Sequence, residues 1–320
     1  MKPRLKVKNI NKTFGKTKAV DDMSFEVNEG EIMGILGPNG AGKTTTIRMI
    51  MGINAPDNGN IYYNVNGSNT DEGKKIPKSR IGYLPEERGL YKDARVMDIL
   101  TFLSGLKLVE KDKACQKAEE WLEKFDLLEN KNNKIEELSK GMAQKVQFIA
   151  CILHEPDLIV LDEPFSGLDP VSQDVFQTEI RALADRGTAV LLSSHRLNMV
   201  EEICDRIFLI HKGKKVLYGP LAEIKNRYGN YRAKLKIANL NNKPDKKVIE
   251  SLLSNPELVV DYSKQNNVWN LLLREDIEPA DFASSIKVNA SIKELNISQI
   301  SLHDIFVKVA KGGDDGENGF

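Results

Sequence analysis

The sequence predicts an α/β protein built on a parallel sheet, with an antiparallel β flank, a helical insert and a smaller α+β unit after it. Three observations carry this. Ile32-Met33-Gly34-Ile35-Leu36, Leu158-Ile159-Val160-Leu161 and Thr188 to Leu192 are apolar runs of strand length, the mark of strands buried on both faces of a parallel sheet. The first two stop at a glycine-rich or acidic cluster and the third at Ser193-Ser194-His195, and ligands of open α/β sheets bind beyond the carboxyl ends of the strands. At Tyr228-Gly229-Asn230 the texture changes to apolar residues alternating with Arg and Lys.

Composition sets the outer limits. The 320 residues are 41% hydrophobic and 29% charged, enough for one large domain and a smaller one. Lys+Arg and Asp+Glu each number 46, so no global basic field points to nucleic acid or an anionic surface. Met1 to Lys6 lacks the apolar core of a signal peptide, and no stretch approaches the ~18 apolar residues that span a bilayer. A cytosolic chain is expected. Cys115, Cys151 and Cys204 lack the spacing of a zinc site or a disulfide framework.

In chain order, residues 4 to 27 alternate as two antiparallel strands interrupted by a turn-rich Asn11 to Lys18. The Ile32 run leads into a glycine loop and a helix from near Lys43 to Met51. Pro56 to Gly59 is a turn and Asn60 to Val65 a strand. Arg80 to Leu84 is a strand stopped by Pro85, so that Glu86 and Glu87 emerge at its end. Apolar residues at helical spacing between Met97 and Leu128 predict an all-α insert (about 87–155) that ends with a helix opened by Ser139 as N-cap. After the Leu158 strand come a turn at Ser166 to Pro170, a helix from Val171 to Ala184, the Thr188 strand, a helix from Met199 to Cys204 and a hairpin around His211 to Lys214. A domain boundary is placed at 225/226. Beyond it the order βαββαβα, with helices near 244–254, Pro279 to Ile286 and Leu302 to Ala310, predicts a ferredoxin-like domain to residue 310. Residues 311–320 are expected to be a disordered tail.

The chemistry concentrates in a few places. Gly37-Pro38-Asn39-Gly40-Ala41-Gly42-Lys43-Thr44-Thr45 fits the phosphate-loop pattern, in which glycines let several backbone N–H groups converge on one anion. Lys43 adds a point charge for the β- and γ-phosphates, Thr44 a hydroxyl suited to Mg²⁺, and the following helix the positive end of its dipole. Asp162-Glu163 lies at a strand end with no basic neighbour between Leu158 and Pro170, so a cation, most simply a metal ion, is expected there. His195 leaves its strand in the same way. Phe14 stands alone among polar residues and either covers a patch of core or stacks on a planar ligand such as adenine.

These residues resemble, in order, the nucleotide-binding subunits of ABC transporters, over about Leu5 to Leu217. Gly37 to Thr44 resembles the Walker A loop, Leu158 to Glu163 the Walker B strand with its trailing glutamate, Leu138 to Gln144 the signature stretch, Ser166 to Asp169 the D-loop and His195 the switch histidine. Phe14 falls where the family places its adenine-stacking aromatic. The signature departs from Leu-Ser-Gly-Gly-Gln at Lys140 and Met142 and keeps Ser139 and Gly141, while Glu86 stands at the Q-loop glutamine. Leu84 to Tyr91, the Leu-Ser-Lys-Gly-Met signature and an ending like Ser301 to Phe306 resemble the exporter branch with ABC-2-type permeases, including sodium-extrusion-like and drug-export-like ATPases.

The resemblance implies a P-loop NTPase fold and an ATPase that needs ATP and Mg²⁺. It implies a head-to-tail dimer of ATPase subunits, with ATP on one subunit's Gly37 to Thr45 covered by the other's Ser139 and Gly141, and with Asp169 at the junction. It further implies Glu163 polarising the attacking water, Asp162 and Glu86 as metal ligands beside Thr44, and His195 on the γ-phosphate. A separate ABC-2-type membrane permease is expected, which puts this chain peripherally on the cytoplasmic face of the membrane. The alternative is a soluble ABC ATPase acting on nucleic acid or ribosomes, which the neutral charge and the single cassette disfavour.

Overall fold

A computed structural model of the chain describes residues 3–65, 68–69, 78–87, 89–228, 231–237, 255, 257–265, 268–274, 277–286 and 292–312. The chain divides into two compact units between Pro220 and Leu221, ahead of the boundary read from sequence.

The first unit opens with a long hairpin, β1 (Pro3–Phe14) and β2 (Thr17–Asn28), followed by β3 (Ile32–Leu36) and α1 (Lys43–Ile50). Next come β4 (Asn58–Val65), β5 (Ser68–Asn69) and β6 (Ile81–Leu84). The helical insert comprises α2 (Val96–Gly105), α3 (Lys111–Lys124) and α4 (Lys140–Ile152). The chain then returns to the sheet as β7 (Leu158–Asp162), α5 (Pro170–Asp185), β8 (Ala189–Ser194), α6 (Leu197–Ile203), β9 (Arg206–His211) and β10 (Lys214–Pro220).

All ten strands form one sheet in the order β5-β4-β1-β2-β10-β9-β3-β8-β7-β6. Its centre is parallel: β3 pairs with β8 and β9, and β7 with β8 and β6. Every residue of β3, β7 and β8 is buried, which is why their sequences are continuously apolar rather than alternating. The antiparallel flank joins through one parallel pair, Lys214 with Asp21. The expected interruption at Asn11 to Lys18 shrinks to the turn Gly15-Lys16: Lys12, Thr13 and Phe14 pair with Val20, Lys18 and Thr17, and register shifts along the hairpin absorb the polar residues that broke the alternation.

An aromatic cluster ties the insert to the core. Phe125 just beyond α3, Phe148 in α4 and Phe176 in α5 are all buried, with ring centroids 4.7 to 5.9 Å apart. Burying each such ring is worth about 1.5–3 kcal/mol, so the insert is anchored on the α5 side of the sheet.

The second unit begins with α7 (Leu221–Arg227), which the sequence reading did not single out, and continues as β11 (Tyr231–Ile237), β12 (Val259–Gln265), β13 (Val268–Leu273), α8 (Pro279–Ser285), β14 (Ile292–Gln299) and α9 (Leu302–Gly312). Its four strands run β12-β13-β11-β14, every neighbour antiparallel, the order of a ferredoxin-like sheet. Ala233, Leu235, Leu271, Leu273 and Phe282 form its core. The helix expected at 244–254 and residues 313–320 of the expected tail lie outside the described residues.

Candidate functional site

The loop after β3 is shaped by close backbone contacts. At Gly37 a Cβ would sit 2.3 Å from the Ile210 carbonyl oxygen, and at Gly42, with φ 108°, 2.4 Å from that of Ala19. Only glycine fits these two positions. The Gly213 N–H donates to the Ala41 carbonyl at 3.1 Å, which pins the loop to the β9–β10 turn. Pro38, Asn39 and Gly40 are exposed, and α1 starts at Lys43 with Thr44 and Thr45 half-buried in its first turn. The first turn of any helix carries amides without intrahelical acceptors, and here they open onto the glycine loop.

Lys43 is 7% exposed and its Nζ donates to the carbonyls of Gly37 at 2.7 Å and Pro38 at 3.2 Å. Burial lowers its pKa, while the negative charges of Glu163, Asp162 and Glu86 oppose that shift. One buried ammonium therefore feels three carboxylates that come from different parts of the chain. Glu86 sits exposed at the bend after β6.

Asp162 closes β7 opposite Ser193. Its Oδ1 accepts the Ser193 hydroxyl, while Oδ2 is buried with no hydrogen-bond partner. Burial first, then the negative charges of Glu86 and Glu163, raises its pKa; the Ser193 hydrogen bond and the neighbouring Thr44 hydroxyl work against this. The Glu163 carboxylate accepts from the Ser194 hydroxyl at 3.5 Å on Oε2 and lies 2.8 Å from His195 Nδ1 through Oε1. Its backbone is left-handed, φ 51°, a strained conformation of the kind held at functional sites, and its N–H donates to the Ser193 carbonyl at 3.2 Å.

The Asp162 environment fits Mg²⁺. An unpartnered buried carboxylate oxygen beside the Thr44 hydroxyl supplies hard oxygen donors. That ion typically takes one or two protein ligands, completing its shell with phosphate and water. Among the described residues no three His, Cys, Asp or Glu side chains form a metal-binding group.

The remaining sequence candidates lie apart from the loop. Ser139 caps α4, accepting the Met142 N–H at 3.2 Å, and Asp169 caps α5, accepting the Ser172 N–H at 2.9 Å and its hydroxyl at 2.7 Å. A Cβ on Gly141 would lie 3.4 Å from the Gly167 carbonyl, and Gln144 Nε2 donates to the Pro164 carbonyl at 3.2 Å, so the start of α4 leans on the segment that follows Glu163. No hydrogen bond described for Ser139, Gly141 or Asp169 reaches Gly37 to Thr45. Phe14, at the tip of the β1–β2 hairpin, is 50% exposed with Lys12 Nζ 5.6 Å from its ring centroid.

Sequence reasoning passed over Ser193 and Ser194 as the last residues of a strand. They are the hydroxyls that hold Asp162 and Glu163, and the signal was available: if β7 and β8 are parallel neighbours of similar length, the residues before His195 must face those after Leu161.

Comparison with known proteins bears on these features directly. Residues 20–166 match the family described as ABC transporter, and residues 219–310 match that described as ATP-binding protein DrrA1-3-like, C-terminal domain. The chain is 39% identical over 305 residues to the uncharacterized ABC transporter ATP-binding protein YhaQ of Bacillus subtilis, covering 95% of this chain and 97% of that protein. It is 36% identical over 225 residues to the linearmycin resistance ATP-binding protein LnrL of the same species, covering 70% and 72%. A solved ATP-binding subunit of an ABC transporter superposes with a TM-score of 0.64 at 30% identity, over 70% of this chain and 93% of that one.

Proposed function

This chain belongs to the ATP-binding subunits of ABC transporters, with the drug-resistance-type C-terminal domain of the ABC-2 exporter branch, and is an ATPase of transport; from that premise we propose that two copies close head to tail around two ATP and drive export through a separate membrane permease. The observation that carries this reading is the glycine loop closed by buried Lys43 at the start of α1, together with the buried, unpartnered Oδ2 of Asp162 and the left-handed Glu163 at the end of β7.

In that reading Gly37 to Thr45 hold the phosphates through backbone N–H groups and the Lys43 ammonium. Thr44 and Asp162, with Glu86 beside them, would hold Mg²⁺, which when bound neutralises phosphate charge. Glu163 accepts the proton of the attacking water, and His195, resting on Glu163 Oε1, swings to the γ-phosphate side. Phe14 stacks on adenine. Ser139 and Gly141 of the opposite copy close the site, with Asp169 beside them, and dimer opening after hydrolysis passes through the helical insert to the permease. No helix among the described residues is long and apolar enough to cross a membrane. A separate spanning partner, and a peripheral position for this chain on the cytoplasmic face, are therefore part of the proposal.

The test is Glu163→Gln in the full chain. We expect ATP hydrolysis to fall by about 10²–10⁴-fold, as for loss of a general base, and gel filtration with Mg-ATP to show a dimer that the wild type forms only transiently. A wild-type rate removes the base assignment, and a monomer at saturating ATP removes the closed dimer.

A further inference from the structure

We propose that Asp57 is a positioning residue for nucleotide binding: at the exit of α1 it clamps the tip of the β1–β2 hairpin, so that the Phe14 ring stands ready to stack on a purine base. The proposal rests on the reading that Phe14 meets adenine, and it gives Asp57 and Lys12 a part in setting that contact.

The hairpin tip needs such a hold. Among the described residues β1 pairs with β4 no further than Asn11 with Asn58, whereas on its other side it pairs with β2 as far as Phe14 with Thr17. Lys12, Thr13 and Phe14 thus have a strand partner on one side only, and a two-stranded ribbon by itself is marginal in water. One carboxylate takes the place of the missing strand. Asp57 Oδ2 accepts the Thr13 N–H at 2.7 Å, its Oδ1 accepts Lys12 Nζ at 2.7 Å, and its own N–H donates to the Asn11 carbonyl at 2.8 Å. The hydrogen bonds from Lys12 first, then from Thr13, hold the Asp57 carboxyl below its ordinary pKa, so the clamp is charged at neutral pH.

The clamp reaches the ring through Lys12. Lys12 and Phe14 are two residues apart in one strand and share a face, and the ammonium that Asp57 holds lies 5.6 Å from the Phe14 ring centroid, within the range of a cation–π contact. A half-exposed ring has freedom to lose when it stacks on a ligand, and fixing its backbone and one neighbour beforehand lowers that cost.

The clamp is also tied to the phosphate end of the site. The N–H groups of Ile53 and Asn54 both donate to the Arg48 carbonyl, at 2.9 and 3.2 Å, so the chain leaving α1 turns at once and brings Pro56 and Asp57 against β1. The same helix starts at Lys43 in the glycine loop. One short rigid element therefore joins the loop that holds phosphates to the residue that holds the hairpin tip.

The test is steady-state ATP hydrolysis by the full chain as wild type, Asp57→Ala, Phe14→Ala and the double variant. Asp57→Ala should raise KM for ATP about threefold with kcat little changed, inside the roughly two- to tenfold expected from losing the stack itself. In the double variant KM should match that of Phe14→Ala alone, because Asp57 acts through the ring. Asp57→Asn keeps an acceptor for the Thr13 N–H and should recover part of the loss; the same comparison is made with it if Asp57→Ala does not fold. An unchanged KM in Asp57→Ala where Phe14→Ala raises it overturns the clamp alone. An Asp57→Ala effect that persists undiminished in Phe14→Ala, or one that falls on kcat, places the action of Asp57 elsewhere and also overturns it. A wild-type KM in Phe14→Ala brings down the stacking reading itself, and the clamp with it.

Discussion

Two helices of this molecule begin in a glycine-containing polar stretch, and they are built to opposite ends. The α1 start is buried and frustrated: Lys43 is drawn out of water, Asp162 keeps an unpartnered oxygen, and Glu163 stands in a left-handed conformation beside them. The α4 start is exposed and content, with the Ser139 hydroxyl already accepting the Met142 N–H. Unsatisfied groups at the first helix ask for a ligand from within one chain. At the second, the cap explains everything a single chain contains, so a role in ATP contact has to come from another copy.

The largest effect that sharpens this contrast is at Lys43. Lys43→Ala should lower kcat/KM for ATP by about 10³-fold, the scale of a lost charge-assisted contact to a transferring phosphoryl group plus the carboxylates left facing one another. The folded protein should persist, since Lys43 bonds only to carbonyls of its own loop. A variant with steady-state kinetics near wild type would mean that the α1 start is a strained turn and not a phosphate cradle.

Ser139→Ala breaks the comparison from the other side. As a cap alone, Ser139 is worth about 1 kcal/mol of stability, and hydrolysis by the folded protein would be untouched. In the head-to-tail dimer the hydroxyl also meets the ATP of the opposite copy, and hydrolysis should fall about tenfold, the equivalent of roughly 1.4 kcal/mol. Ser139→Asp separates the two: it restores the cap but sets a negative charge toward phosphate, so stability recovers and activity does not. Recovery of both returns Ser139 to capping alone.

How much of this was open to sequence reading follows the same division. The parallel strands, the glycine loop and the acidic pair were legible because burial on both faces forces continuous apolar runs and because two glycines are required by carbonyls only 2.3 and 2.4 Å from a would-be Cβ. The hairpin at Phe14 was not, since its register shifts scramble the alternation that marks a strand. Ser193 and Ser194 were hidden for another reason: their role depends on which strand lies beside β7, and neighbours in a sheet are not neighbours in sequence. Asp57 read only as a turn residue, because a loop aspartate reveals what it holds only once the hairpin tip lies beside it.

A smaller effect concerns stability and pH. The Asp162 pKa is raised in the folded chain above its ordinary value of 3.8, so the fold favours the protonated form. The favourable contribution is complete below the unfolded pKa and disappears as pH rises through the folded one. Asp162→Asn should therefore raise Tm of the nucleotide-free protein at pH 7 by a few degrees while abolishing hydrolysis, and the gain should vanish as pH approaches 4. A lower Tm at pH 7 would show that the Ser193 hydrogen bond and the neighbouring Thr44 hydroxyl outweigh the burial of the charge.

The smallest effect is at Phe14, and it asks whether the α1 half-site extends to the hairpin tip. Aromatic stacking is worth about 0.5–1.5 kcal/mol beyond area burial, so Phe14→Ala should raise KM for ATP by roughly two- to tenfold with kcat little changed. Its ring is half exposed at the hairpin tip, so thermal stability should stay within a degree or two of wild type. Phe14→Tyr keeps the π-face and should restore KM, whereas Phe14→Leu keeps apolar area and should not. If Leu rescues as well as Tyr, the contact is hydrophobic cover and not stacking. An unchanged KM in Phe14→Ala would put adenine elsewhere, and the pre-organised half of the site would then end at Gly37.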